Sequence, residues 1–203
     1  MHMACLDLEG VLLPEVWIAV AEASGLPELR RTTRDEPDYD KLMRGRLEIL
    51  DRHNLSLGDI QKVLATMQPL PGAKEFLVWL QSQTRVILLS DTFSQFAAPL
   101  IAQLDNPVLF CNELVVDGNG KIVNYQLRQK DQKRKSVEAF KSLNFEVIAV
   151  GDSYNDLSMM QTASHGILFR PPDSLLGKYP QFPVTRTYEE LKSRFVELFN
   201  RHG

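Results

Sequence analysis

Five short apolar, partly β-branched runs, at residues 3–8, 85–90, 108–111, 147–150 and 166–169, are each too short for a typical helix and read as strands. Between them lie amphipathic segments at 73–83, 94–104, 135–143 and 155–163. Strands that alternate with helices pair in parallel, with the crossover helices covering both faces of the sheet. The pattern therefore predicts an α/β fold, a Rossmann-like parallel sheet with helices on both faces. Residues 188–201 carry Leu191, Phe195, Leu198 and Phe199 on one stripe and predict a closing helix.

The first strand does not lead directly to the second. Residues 14–71 intervene with helical patterns at 15–23, 39–53 and 57–67, and an insertion of that size is expected to cap the carboxyl edge of the sheet. Pro69-Leu70-Pro71-Gly72 is a natural return linker, since two prolines stiffen it and the glycine starts the next element freely. The predicted organisation is a core of residues 1–13 and 72–203 with a cap of residues 14–71. A smaller excursion at 113–127 holds Asp117-Gly118-Asn119-Gly120 between two alternating runs and predicts a β-hairpin.

Charge and composition remove several function classes. The 203 residues carry a net charge of -3, and the cationic cluster from Lys130 to Lys135 is interrupted by Asp131 and Gln132, so nucleic acid is not an expected partner. No apolar run approaches the roughly 20 residues that span a bilayer, and no signal-peptide layout precedes the first strand, so a cytoplasmic location is expected. Cys5 and Cys111 sit in apolar runs, outside any metal-spaced set, and are expected to be small buried thiols.

The chemistry gathers at strand ends. The first run ends in Asp7-Leu8-Glu9-Gly10, where positions two apart point to the same side of a strand, so both carboxylates face one site. Like charges that close require a metal or a proton between them. The run at 147–150 ends in Gly151-Asp152-Ser153-Tyr154-Asn155-Asp156, a second acidic cluster. Groups at the carboxyl ends of parallel strands converge on one crevice, so Asp7, Glu9 and Asp152 share it, with Asp156 in an indirect role or as a cap on the next helix. Asn155, within that cluster, is expected to face whatever ligand the crevice holds. Hard oxygen ligands of this kind suit magnesium, which usually also takes an oxygen from a phosphate. After Val86-Ile87-Leu88-Leu89 come Ser90, Asp91 and Thr92, a hydroxyl and backbone N–H groups ahead of a helix from Ser94, suited to anion oxygens. Lys133, ahead of the helix expected from Lys135, supplies compensating positive charge.

An acidic nucleophile, then a serine, then a lysine, then G-D-x-x-x-D, each at a strand end or helix start, resembles the haloacid dehalogenase superfamily of phosphotransferases over essentially the whole chain. The resemblance implies that Asp7 attacks phosphorus and becomes an aspartyl phosphate, and that Glu9 exchanges protons with the leaving and incoming hydroxyls. It further implies that Ser90 and the Asp91–Thr92 backbone bind the phosphate with Lys133. The magnesium ligands it implies are Asp7, the Glu9 carbonyl and Asp152.

Within that superfamily the insertion looks most like that of the phosphoserine phosphatases. The run Tyr39-Asp40-Lys41-Leu42-Met43-Arg44-Gly45-Arg46 resembles their cap helix, which makes Arg46 the expected receiver of a substrate carboxylate, with Tyr39 closing over it and Glu15 receiving the ammonium. Three positions depart from that pattern: Glu9 stands where an aspartate is usual, Ser90-Asp91-Thr92 replaces serine-glycine-glycine, and Glu15 lies one residue nearer the nucleophile. With an aspartate at 91, the phosphate is expected to meet its N–H while the carboxylate turns away. The runs D-L-E-G-V, S-D-T-F and Y-Q-L-R-Q-K-D look closest to the group that also passes the phosphoryl group to homoserine. The expectation is thus a magnesium-dependent phosphoserine phosphatase, monomer or homodimer, with homoserine as a second acceptor. The alternatives are a phosphatase for sugars or nucleotides and a non-catalytic module that merely holds a phosphoryl group.

Overall fold

The computed structural model describes residues 1–33, 35–36 and 38–200. Among the described residues seven strands form one sheet: β1 (His2–Leu6), β2 (Arg85–Phe93), β3 (Leu109–Val116), β4 (Ile122–Gln126), β5 (Glu146–Gly151), β6 (His165–Phe169) and β7 (Val184–Thr185). Their order is β4-β3-β2-β1-β5-β6-β7, parallel throughout except that β4 returns antiparallel to β3 through the expected hairpin. Strand order reverses at β1, which pairs with β2 on one side and β5 on the other, and this is where an open α/β sheet leaves a crevice beyond its carboxyl ends. Leu6 stands opposite both Leu88 and Val150, so Ser90 and Asp152 each lie two residues past the rung that precedes Asp7.

The alternation of β1 sorts its side chains between two cores. Ala4 and Leu6 join one apolar cluster, while Met3 and Cys5 join the other with Val147, Ala149 and Met159. The first cluster continues without a break into the inserted segment, whose helices are α1 (Val16–Ser24), α2 (Tyr39–Arg52) and α3 (Leu57–Leu64), so that Trp17, Met43 and Leu64 pack in one body with Leu88 and Phe96. Polar ties reinforce this. Tyr125 on β4 donates to Asp40 Oδ1 at 2.6 Å, and the Leu57 N–H donates to the Gly120 carbonyl in the hairpin turn at 2.9 Å.

The remaining helices are α4 (Ala73–Gln83), α5 (Ser94–Ile101), α6 (Gln132–Ser142), α7 (Leu157–Thr162) and α8 (Tyr188–Phe199). Pro99 lies inside α5 and has no N–H to give to the Gln95 carbonyl; Gln61 Nε2 of α3 donates to that carbonyl at 2.9 Å instead. A defect of one helix thus becomes an attachment point for the insert. On α8, Tyr188 stacks on Phe76 and Phe169, and its hydroxyl donates to the Val11 carbonyl at 2.7 Å, which holds the loop just after the first strand.

Several boundaries differ from the sequence expectation. The strand that carries Ser90 runs on to Phe93 rather than ending at Ser90, so Ser90, Asp91 and Thr92 lie on extended backbone beside a register shift against β3. Lys133 sits in the first turn of α6 rather than ahead of the helix, because Asp131 starts it from a left-handed conformation, φ 53°, without any side-chain cap to mark it. The helix expected from Asn155 begins as a 3-10 turn, Tyr154–Asp156, and α3 stops three residues short of Met67. The short strand β7 and a 3-10 turn at Pro27–Arg30 lack the length to show as periodic patterns. Arg201, the expected end of the closing helix, lies outside the described residues. Cys5 is buried as expected, its thiol pushed up to about 12 by burial, whereas Cys111 is only half-buried. Among the described residues no helix is long and apolar enough to cross a membrane.

Candidate active site

One cavity of about 300 Å³ is lined by every candidate residue except Asp156, which lies directly behind it. Asp7 stands at its floor just past β1, where its N–H continues the sheet to the Val150 carbonyl at 2.9 Å. Its Oδ1 accepts from the Leu8 N–H at 2.7 Å and from Lys133 Nζ at 2.9 Å. Lys133 is almost fully buried and also contacts Asp156 Oδ1 at 2.7 Å, so one ammonium serves two buried carboxylates. Burial and the neighbouring Asp156 push the Asp7 carboxyl well above its ordinary range, although Lys133 opposes them. The lysine is held charged: the attraction of Asp156 and Asp7 outweighs its burial.

Asp156 closes a capping box on the 3-10 turn ahead of α7, and its side chain makes no capping bond to α7 itself. Its Oδ2 accepts from the backbone N–H groups of Asp152 and Ser153 at 3.0 and 3.1 Å, closing a capping box with Ser153, while Oδ1 takes Lys133. The carboxylates of Asp7, Asp152 and Asp156 each place an oxygen within 4.8 Å of the others. Burial first, then Asp156 and Glu15, raise Asp152 to about 7. When all three of these carboxylates are ionised they exceed the charge of the one nearby ammonium by two, which is the charge a divalent cation carries. The donors are all hard oxygens, so the residues present fit such a cation.

Two glycines permit this approach. A side chain on Gly10 would bring Cβ within 2.5 Å of the Asp152 carboxylate, and one on Gly151 within 2.2 Å of Asp156 Cβ. Gly10 also has φ +80°, so Gly10→Ala is expected to lose about 1 to 2 kcal/mol from backbone strain alone, and to displace Asp152. Urea denaturation checks the first effect; an unchanged midpoint would contradict it.

Glu9 faces the same cavity, yet its carboxylate also caps a helix, since Oε2 accepts from the Val16 N–H at 2.9 Å, at the start of α1. Glu15 is the residue that precedes this helix, and its own side chain makes no capping bond. Burial, followed by the charge of Glu15, raises Glu9 to about 7 against the pull of the Val16 N–H, Thr92 and Arg46. Arg46 is buried on α2 rather than facing solvent; Nη2 donates to the Arg31 carbonyl at 2.8 Å, and the guanidinium lies 4.5 Å over the Trp17 ring. Its Nε is buried and unpartnered, and burial lowers the group to about 10. Tyr39, at the start of α2, donates to the Asp91 carbonyl at 3.1 Å, which ties the insert to the end of β2.

The Ser90–Thr92 segment is shaped by its own side chains and by α6. Ser90 Oγ accepts from the Thr92 N–H at 3.2 Å, and the Ser90 carbonyl accepts a short bond from Gln132 Nε2. The Asp91 carboxylate does not turn away from the site, as its sequence context suggested. It takes Gln132 Nε2 at 3.3 Å and Asn155 Nδ2 at 3.3 Å, and its Oδ2 lies 3.8 Å from Lys133 Nζ. Asn155 is exposed at the rim, and its amide is engaged with Asp91. Trp17, Ile18, Thr32, Thr33 and Leu42 also line the cavity. No sequence signal marks these five, since they are ordinary helix and loop residues that only tertiary packing brings to the crevice.

Residues 1–164 match the profile of the haloacid dehalogenase-like hydrolases, and the chain belongs to that family. Phosphoserine phosphatase ThrH of Pseudomonas aeruginosa is 56% identical over 201 residues, covering 99% of this chain and 98% of the relative. The phosphoserine phosphatase of Pseudomonas syringae pv. tomato is 55% identical over 200 residues, 98% of this chain and 84% of its own length. A solved structure described as a substrate-bound phosphoserine phosphatase complex superposes with a TM-score of 0.78 at 20% identity, covering 95% of this chain and 97% of that one, a likeness of fold.

Proposed function

We propose that this hydrolase removes the phosphoryl group from O-phospho-L-serine through an aspartyl phosphate on Asp7, with homoserine as a second acceptor. The observation that carries the reading is the convergence of Asp7, Ser90, Lys133 and Asp152 on one cavity to which the inserted segment contributes Arg46 and Glu15. Both Pseudomonas relatives, each named a phosphoserine phosphatase, support the substrate. A phosphorylated amino acid needs an anion site beside a cation and a carboxylate, and the cavity volume suits a ligand of that size.

In the first step a carboxylate oxygen of Asp7 bonds to phosphorus, the bond from phosphorus to the seryl oxygen breaks, and the departing oxygen takes a proton from Glu9. In the second, water gives a proton to Glu9 and attacks phosphorus, and the bond to Asp7 breaks to release phosphate. A homoserine hydroxyl that replaces this water leaves as O-phosphohomoserine by the same exchange. Lys133 and the Ser90 hydroxyl, with the Asp91 and Thr92 backbone, hold the phosphoryl oxygens throughout. Arg46 receives the substrate carboxylate, Glu15 the ammonium, and Tyr39 and Asn155 border the substrate at the rim. Magnesium is the cation we assign to Asp7, Asp152 and the Glu9 carbonyl, with Asp156 behind; it would offset the charge that phosphate and carboxylates bring together. Residues 14–71 act as a cap on a core of residues 1–13 and 72–203, in a cytoplasmic enzyme that works as a monomer or homodimer.

The test is incubation with magnesium and phosphoserine, with and without homoserine, following serine, phosphate and phosphohomoserine together. Serine is expected in both reactions, with part of the phosphate replaced by phosphohomoserine when homoserine is present. No serine release would overturn the proposal; serine and phosphate that stay equal in the presence of homoserine would overturn the transfer alone.

A further inference from the structure

Asp91 is out of place in an anion site. Asp91 lines the reaction cavity, with its carboxylate 3.8 Å from the ammonium of Lys133 and held by the amides of Gln132 and Asn155, which orient it without neutralising it. Gln132 is itself buried and braced: Arg128 donates to its Oε1 through Nε at 3.1 Å and Nη2 at 2.9 Å. The brace leaves Gln132 Nε2 pointing at the Ser90 carbonyl and Asp91. The orientation of the carboxylate is thus built in from α6. Lys133 already faces Asp7 and Asp156 at shorter distance, so the positive charge available to a bound phosphate is divided among three carboxylates.

Thr33, Tyr39, Asp91, Lys133 and Asn155 also line a second, larger cavity of about 810 Å³ and so form the wall between the two. A carboxylate in that wall repels a phosphate dianion that dwells next to it, and it does so at the side where the larger space begins.

From this charge and this position we infer that Asp91 determines how tightly the site holds inorganic phosphate: it weakens the product complex and hastens release of the dianion. The inference rests on the reading of the cavity as a phosphate-monoester site. A unit charge a few ångströms beyond contact, in a partly solvated cleft, changes the affinity of a dianion by on the order of tenfold. Structural damage loosens binding, whereas loss of this repulsion tightens it, so the sign of the effect separates the two causes.

The experiment is calorimetric titration of inorganic phosphate into the magnesium-loaded full chain, for the wild type, Asp91→Asn and Asp91→Glu, alongside phosphoserine hydrolysis by the wild type. Asp91→Asn is expected to bind phosphate about tenfold more tightly, and Asp91→Glu, which keeps the charge, to return towards the wild-type constant. Equal or weaker binding by Asp91→Asn, with a wild type that hydrolyses phosphoserine, would overturn the role of Asp91 and leave the functional reading intact. A wild type that neither hydrolyses phosphoserine nor binds phosphate would overturn both.

Discussion

Asp7→Asn is expected to lower turnover of phosphoserine by on the order of ten-thousandfold or more, the scale seen when a covalent nucleophile is removed. Hydrolysis and transfer are expected to fall together, because in the proposed mechanism both pass through the same phosphorylated residue. The fold is expected to survive. Asparagine keeps the shape and can still accept from the Leu8 N–H and from Lys133, while the change removes one of three negative charges crowded within 4.8 Å. The metal-free variant should therefore melt no lower than the wild type. Steady-state kinetics together with thermal unfolding followed by circular dichroism check both parts; residual turnover near the wild-type rate would refute the role of Asp7.

Lys133→Ala acts through both stability and rate. The ammonium lies 2.9 Å from Asp7 and 2.7 Å from Asp156, and all three groups are nearly or wholly buried. Removing it leaves two carboxylates in a low-dielectric space without their counter-charge, which is expected to cost about 3 to 5 kcal/mol of stability. Neutralising one of the orphaned partners should recover part of that loss, so Lys133→Ala combined with Asp156→Asn is expected to be more stable than Lys133→Ala alone, although it remains inactive. Urea unfolding of both proteins measures the difference. A double variant no more stable than the single one would show that the lysine's contribution is packing rather than charge.

The sheet and the floor of the site were legible because both depend on short-range pattern. Asp7 and Asp152 end apolar runs, and the carboxyl ends of parallel strands meet in one crevice. Lys133 was legible from its order along the chain but not its place in a helix, since the helix starts from Asp131 in a left-handed conformation without a side-chain cap. The direction of the Asp91 carboxylate was not legible for a related reason. Its direction is set by Gln132 and Asn155, which lie 41 and 64 residues away, and a local motif carries no trace of them. The second role of Glu9, capping α1 through the Val16 N–H, was hidden because Glu15 occupies the position where a cap would be sought. The depth of Arg46 likewise depends on Trp17 and the Arg31 carbonyl, which tertiary packing brings to it.

That Asp7 carries the phosphoryl group is the centre of the proposed mechanism, and it can be observed directly. The protein is mixed with phosphoserine and magnesium, quenched in acid within a turnover, and its peptides are mapped by mass spectrometry. The expected result is a phosphoryl group on Asp7, lost on longer incubation and absent from Asp7→Asn. A phosphoryl group on another residue, or continued turnover without any on Asp7, would contradict the mechanism.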